Sequence, residues 1–242
     1  MIIQKKHIEN KDAHDIFINN EPVPMIELSE FIEDSLAIEM YRETHNIDER
    51  HWKHFTRNGS SMMECNKIDL MPIAFKFVSY MHSSTILKWL ESVTGVKKLI
   101  PDPHLIGGGY SKSFQGDSLK IHTDFNWNEE LGLHRALSLI LYLTPSWKEE
   151  WGGSLDFYDF NRENIIKSIP CLHNNCVIWQ YHKRGFHGYS EPLSCPENFM
   201  RTTFRLFYYV SDSVYHADDQ PHRSLYWIDP ITKEPYDDRK QK

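Results

Sequence analysis

The chain has 242 residues, 40% of them apolar and 25% charged, so it can form a core and is neither a disordered polymer, a collagen-like repeat nor a disulfide-stapled miniprotein. Asp plus Glu number 34 against 27 Lys plus Arg, and the resulting charge of −7 excludes the overall basic footprint of a nucleic-acid or anionic-membrane binder. The 14 histidines bring metal chemistry into view, because imidazole is the commonest metal ligand.

Cys65, Cys171, Cys176 and Cys195 form neither a C-x-x-C pair nor a dense secreted framework, and are expected to be reduced thiols. The N-terminus has no long apolar leader and no stretch approaches 18 consecutive apolar residues, so a cytoplasmic protein without a membrane or nucleic-acid partner is expected. Without a repeat, linker or compositional break, residues 1–242 are expected to form one domain: 1–100 mainly helical support, 101–210 a β core, and 211–242 a polar tail or lid.

In chain order, Ile26, Leu28, Phe31, Ile32, Leu36, Ala37 and Met40 recur at near-helical spacing, and a second helical pattern runs from Phe77 through Ile86, Leu87, Trp89 and Leu90 to Val93. After Gly107-Gly-Gly the signal becomes β-type, with runs at Ala136–Leu143, Ser154–Tyr158, Cys176–Trp179, Gly185–Tyr189 and Thr202–Val210. Such spacing suits a barrel or sandwich. Alternation from 201 to 210 puts Arg201, Thr203, Arg205, Phe207 and Tyr209 on one face and Thr202, Phe204, Leu206, Tyr208 and Val210 on the other. An arginine on an inward face needs an anionic partner, since a buried unpaired charge is costly.

His122-Thr-Asp124 follows Leu119-Lys-Ile, and strand alternation sends His122 and Asp124 to the same side. A distant histidine would complete the facial triad that suits non-haem Fe(II), leaving positions open for co-substrate and O2. His187, in Gly185-Phe-His-Gly-Tyr189, is preferred over His182, which sits in a turn; His173 has a turn-like structural setting.

At this point the chain resembles the prolyl-4-hydroxylase-like branch of the Fe(II)/2-oxoglutarate dioxygenases. The motifs run in the family's order: Gly107-Gly-Gly-Tyr110, His122-Thr-Asp124, Ser138–Leu143 with Thr-Pro-Ser-Trp147, and Trp151-Gly-Gly-Ser-Leu155, then Ile169-Pro170, Asn175–Trp179, Phe186-His-Gly188 and Arg201-Thr-Thr203. The resemblance implies a mainly β fold with N-terminal helices around a double-stranded β-helix of jelly-roll or cupin type. It implies Fe(II) held by His122, Asp124 and His187, and 2-oxoglutarate held by Arg201 with Tyr142, Thr203 and Tyr110. With O2 as co-substrate, such an enzyme hydroxylates a C–H bond and releases succinate and CO2. The acid Asp124 favours hydroxylation over halogenation, and loss of Asp124 or His187 is expected to leave the fold intact.

The chemistry agrees with these roles, because a dicarboxylate inside a barrel calls for a planar, always-charged fork. Arg201 is preferred there, with Arg205 as the alternative or as a partner for a substrate carboxylate. Asn126, Trp127, His134, Arg135 and Arg205 are candidate substrate contacts at the rim. A free amino acid or similar small molecule is the first substrate expectation, and a prolyl or other side chain of a peptide or protein the second. A noncatalytic anion- or metal-binding β-helix is the third reading, disfavoured by the intact triad and Arg201. A zinc hydrolase gives no reason for an arginine-tyrosine pocket beside the metal.

Overall fold

The structure, a computed structural model, describes residues 2–211, 220–227 and 235–237. Its helices lie in the first hundred residues: Lys5–Ile8 (α1), Ala13–Ile18 (α2), Asp34–Asn46 (α3), Pro72–Met81 (α4) and Ser84–Thr94 (α5). The same stretch also contains strands Met25–Leu28 (β1), Lys53–Arg57 (β2), Ser60–Cys65 (β3) and Ile100–Pro101 (β4). The early apolar pattern is therefore helical only from Asp34 onward. Ile26 and Leu28 are two residues apart on an extended segment, where both reach the same core, and β1 pairs with a β strand at Cys176–Gln180. The second apolar stretch is two helices rather than one, because Ser83 leaves helical geometry (φ −69°, ψ 150°) and restarts the chain as α5.

Local chemistry fixes these helices. Pro72 opens α4, and the N–H groups of Ile73 and Ala74 donate to the buried Glu43 carboxylate of α3 at 2.6 and 2.9 Å. Gly95 ends α5 in the left-handed region at φ 75°.

The remaining strands are Gly109–Ser113 (β5), Leu119–Thr123 (β6), Trp127–Asn128 (β7), Leu133–Tyr142 (β8), Leu155–Tyr158 (β9), Ile165–Ile169 (β10), Cys176–Gln180 (β11), His187–Tyr189 (β12), Arg201–Val210 (β13), Leu225–Trp227 (β14) and Pro235–Asp237 (β15). One antiparallel sheet has the order β1-β11-β8-β13-β5-β3-β2, with β4 beside β13 and β7 beside β8; the other is β10-β9-β12-β6-β14-β15. Two opposed antiparallel sheets with helices on the outside of the larger one make the double-stranded β-helix expected from the sequence. The tail or lid expected at 211–242 falls largely outside the described residues, but its 225–227 segment pairs with β6.

Alternation divides the larger sheet between two cores. Leu137, Leu139 and Leu141 of β8, Cys176 and Ile178 of β11, and Phe204, Leu206 and Tyr208 of β13 pack outward against Phe77, Met81, Ile86 and Leu90. Each fully buried large apolar side chain there contributes roughly 1.5–3 kcal/mol. Tyr142, Val177 and Trp179 face inward against Leu155, Phe157 and Tyr189 of the smaller sheet. The functional residues of β13 share that inward face.

Candidate metal centre and co-substrate pocket

His122 of β6 and His187 of β12 are directly opposite in the antiparallel register, with ring centroids 4.5 Å apart. His122 Nδ1 bonds the Lys120 carbonyl at 2.9 Å and His187 Nδ1 the Gly185 carbonyl at 2.8 Å. A carbonyl only accepts, so both Nδ1 atoms carry the proton and both Nε2 lone pairs are left for another partner. Asp124 follows the end of β6, and the ligand atoms of His122, Asp124 and His187 lie within 4.8 Å of one another. Burial, reinforced by His187, pushes His122 down to about 4, so its imidazole is neutral at physiological pH. Two imidazoles and a carboxylate at this spacing fit a facial site for a divalent metal. His182 stands elsewhere, exposed in its turn with Nδ1 accepting from the Arg184 N–H, and His173 bridges the Leu143 carbonyl and Asp34.

Asp124 does not stand alone. Arg135, 1% exposed, places Nη2 3.0 Å from Asp124 Oδ2. Burial by itself would raise the Asp124 carboxyl; Arg135, helped by the two histidines, overrides it and holds the group below the usual carboxylate range. The guanidinium lies over Phe207 at 3.5 Å and Phe125 at 4.5 Å from the ring centroids. A register shift opposite Tyr208 and Tyr209 pairs them with Leu137 and Arg135, skipping Ala136, and this bulge turns Arg135 to the inside. Arg135 is therefore committed to a carboxylate of the site, which corrects its assignment as a substrate contact.

Arg201 is buried at the other end of the inner face. Its Nε donates to the Gly153 carbonyl at 2.8 Å, and its guanidinium lies 4.4 Å from the Tyr189 ring centroid and 5.1 Å from that of Tyr142. Among the described residues no carboxylate pairs with it, and the buried Tyr142 hydroxyl beside it has no hydrogen-bond partner. Burial, partly offset by Arg201, pushes the Tyr142 phenol well up, so it remains a donor. Thr203 stands opposite Tyr142 in the register and shares a 2.7 Å hydrogen bond with Ser111. A buried fork, an unmet hydroxyl and a threonine beside three groups that could hold a metal fit a chelating dicarboxylate.

Other sequence assignments need correction. Tyr110 stands opposite Phe204, and directly opposed residues share a face; its hydroxyl therefore points to the helical side and donates to Glu43 at 2.8 Å. Ser111, unremarkable in the sequence, takes the inward position next to it. Arg205 lines the inner face but its Nη2 bonds Glu64 Oε1 at 2.5 Å, so it is spent on an acid of β3. Asn126 is fully buried and holds the C-terminal segment: its Nδ2 donates to the Gln220 carbonyl at 3.0 Å and its Oδ1 accepts from His222 N–H at 2.8 Å. Trp127 lines an open cleft with Arg57, Phe125, Glu129, Glu130 and Arg223, while His134 packs edge-on against the Trp127 ring rather than facing the site. Tyr226, also unsuspected from sequence, stacks on His122 at 5.0 Å and an interplanar angle of 17°.

A model of the 2OG-Fe(II) oxygenase superfamily matches residues 109–209, the segment that carries every one of these pocket residues from Ser111 to Thr203. Residues 109–209 therefore carry a 2OG-Fe(II) oxygenase domain. Fe(II), 2-oxoglutarate and O2 are the cofactors that go with such an oxygenase domain. Over 110 residues, 44% of the chain, the oxygenase is 34% identical to "Prolyl 3-hydroxylase OGFOD1" of Mus musculus, and over 112 residues 33% identical to that of Xenopus laevis. These matches span only 18% and 20% of the two relatives. Its fold is that of a Trichoplax adhaerens prolyl hydroxylase solved with a hypoxia inducible factor peptide fragment, with a TM-score of 0.62, 16% identity, and coverage of 89% of this chain and 96% of that one. The relatives that resemble it in sequence and in fold are thus prolyl hydroxylases.

Proposed function

We propose that the oxygenase hydroxylates a prolyl residue within a polypeptide, with His122, Asp124 and His187 holding Fe(II) and Arg201, Tyr142 and Thr203 holding 2-oxoglutarate. The observation that carries this reading is the 34% identity of its core to a prolyl 3-hydroxylase, which also favours C3 of the ring. When bound, Fe(II) with 2-oxoglutarate and O2 supplies the oxidant that converts C–H to C–OH and releases succinate and CO2. The chain's own part is placement. The carbonyls of Lys120 and Gly185 fix the ring orientations of the two histidines, and Gly153 and the flanking tyrosines fix the Arg201 fork. Trp179 and Phe157, with ring centroids 5.4 and 5.5 Å from that of His187, exclude water from one side.

The charge arrangement supports a polypeptide over the free amino acid expected first from the sequence. Of the three arginines on the inner face, Arg135 is paired with Asp124 and Arg205 with Glu64, and Arg201 is assigned to 2-oxoglutarate. A free amino acid would bring a further carboxylate and find no uncommitted arginine for it there. The cleft of about 300 Å³ at Phe125 and Trp127, open and lined by both acids and arginines, suits a segment of extended chain. A cytoplasmic setting belongs to the same proposal, and four buried free thiols are compatible with it.

The test is incubation with Fe(II), 2-oxoglutarate and a proline-scanning peptide library, with free proline and other amino acids in parallel. A gain of one oxygen on a peptide proline, matched by succinate, is expected. Turnover of a free amino acid with none on any peptide would return the reading to a small-molecule hydroxylase.

A further inference from the structure

We propose that Arg135 is a positioning residue that decides which oxygen of Asp124 is presented to the metal. This inference rests on the reading of His122, Asp124 and His187 as the metal site. Asp124 lies beyond the last residue of β6, where the strand ladder no longer restrains its side chain. Its orientation is set instead by two donors that converge on one oxygen: Arg135 Nη2 lies 3.0 Å from Oδ2, and Ser138 Oγ donates to Oδ2 at 3.3 Å. Ser138 Oγ in turn accepts from Arg135 Nε at 3.1 Å and Nη2 at 2.9 Å, closing a ring of three side chains. Oδ1 accepts no hydrogen bond among the described residues and lies 3.8 Å from His122 Nε2, the same distance that separates Oδ2 from His187 Nε2. Both oxygens face the histidines, but Oδ2 is already occupied by Arg135 and Ser138, which leaves Oδ1 as the oxygen to present to a metal.

The clamp is itself rigid. Phe125 and Phe207 stack on the guanidinium, and the bulge at Ala136 brings Arg135 onto the inner face that Ser138 already occupies. A regular strand would turn residues 135 and 138 to opposite faces. Without the bulge the three-membered ring could not form, so the irregularity of β8 has a definite chemical outcome at the metal site. Outer partners of metal ligands commonly change affinity by 10–100-fold.

The experiment is Mn(II) titration of the full chain, followed by the loss of the free-ion EPR signal, for wild type, Arg135→Gln, Arg135→Lys and Ser138→Ala, with the melting temperature recorded in parallel. The expected result is a Kd about tenfold or more higher in Arg135→Gln, an intermediate value in Arg135→Lys, and a rise of about threefold in Ser138→Ala. A purely structural role would lower the melting temperature and leave the Kd of the folded protein unchanged. Kd values within twofold of wild type in Arg135→Gln and Ser138→Ala, or tighter binding in Arg135→Gln, would overturn the proposal. Should Arg135→Gln fail to fold, Ser138→Ala decides by the same criterion. Wild type that binds no Mn(II) would instead sink the metal-site reading on which the inference rests.

Discussion

Replacing Asp124 by alanine should damage the protein in a way that removal of a metal ligand alone does not explain. Arg135 is 1% exposed and 3.0 Å from the Asp124 carboxylate, so the substitution takes the paired carboxylate away from a buried guanidinium and leaves it its hydrogen bonds to the neutral Ser138. At an effective dielectric constant of about 20, a charge pair at that distance is worth about 5 kcal/mol. The lost desolvation cost of the carboxylate offsets part of this, and buried pairs broken on one side typically cost about 3–5 kcal/mol. For a chain of this size, that corresponds to a fall in melting temperature of roughly 6–20 °C. The assay is thermal unfolding in excess EDTA, so that metal binding does not enter the comparison. Asp124→Asn, which keeps an acceptor for Arg135, should fall by less, and Asp124→Ala combined with Arg135→Met should recover most of the loss. An Asp124→Ala protein that melts within about 2 °C of wild type, or a double variant no better than the single one, would refute the reasoning. This expected loss differs from the reading of the sequence, in which removing Asp124 leaves the fold intact.

Gly153→Ala should raise the 2-oxoglutarate requirement by about tenfold, an estimate set by the loss of one buried charge-assisted bond: its Cβ would come within 2.8 Å of Arg201 Cδ at a backbone φ of 80°. Isothermal titration with 2-oxoglutarate checks this, and an unchanged affinity would mean that Arg201 is not the anchor. Tyr142→Phe should weaken 2-oxoglutarate binding by about 1 kcal/mol while costing no stability without it, because the hydroxyl has no hydrogen-bond partner among the described residues; equal losses in both measurements would count against a role in binding. His82 is pushed down to about 4 by burial, with its Nε2 enclosed and without a hydrogen-bond partner among the described residues. The unfolded chain takes up a proton near pH 6.5 and the folded one only near pH 4, so this residue removes up to about 3 kcal/mol of stability as pH falls across that window. His82→Gln should flatten the melting curve against pH between 6.5 and 4, and an unaltered slope there would contradict the assignment.

The parts of this molecule that could be read from its sequence are those governed by local periodicity. Alternation in 201–210 placed Arg201, Thr203, Arg205 and Phe207 on one face, and the structure puts them there. His122 and Asp124 were placed together by the same rule. What escaped depends on pairing across the sheet or on an interruption of it. Tyr110 and Ser111 are neighbours, and only the register with Phe204 and Thr203 tells which one faces the pocket. Arg135 reads from the sequence as a rim contact because the bulge at Ala136 leaves no mark in a hydrophobic pattern. Ile26 and Leu28 joined a helical stripe because an edge strand of four residues offers too few alternations to outweigh its helical neighbours. The preference for a small substrate drew on Arg205, and whether that residue is available or committed depends on Glu64, which lies 141 residues away in the chain.

The two-faced character of β13 also sets what kinds of change the chain can tolerate. Its residues serve the pocket and the helix-backed core in strict turn, so side-chain exchanges can be absorbed on one face while the other is undisturbed. A single-residue insertion or deletion between Arg201 and Arg205 has no such freedom, because it would exchange the two sets at every later position, driving arginine toward Phe77 and presenting phenylalanine to the metal site. Length variation in this oxygenase should therefore be confined to segments such as 190–199 before β13, and a survey of random variants should find β13 permissive to substitution at period two and closed to indels.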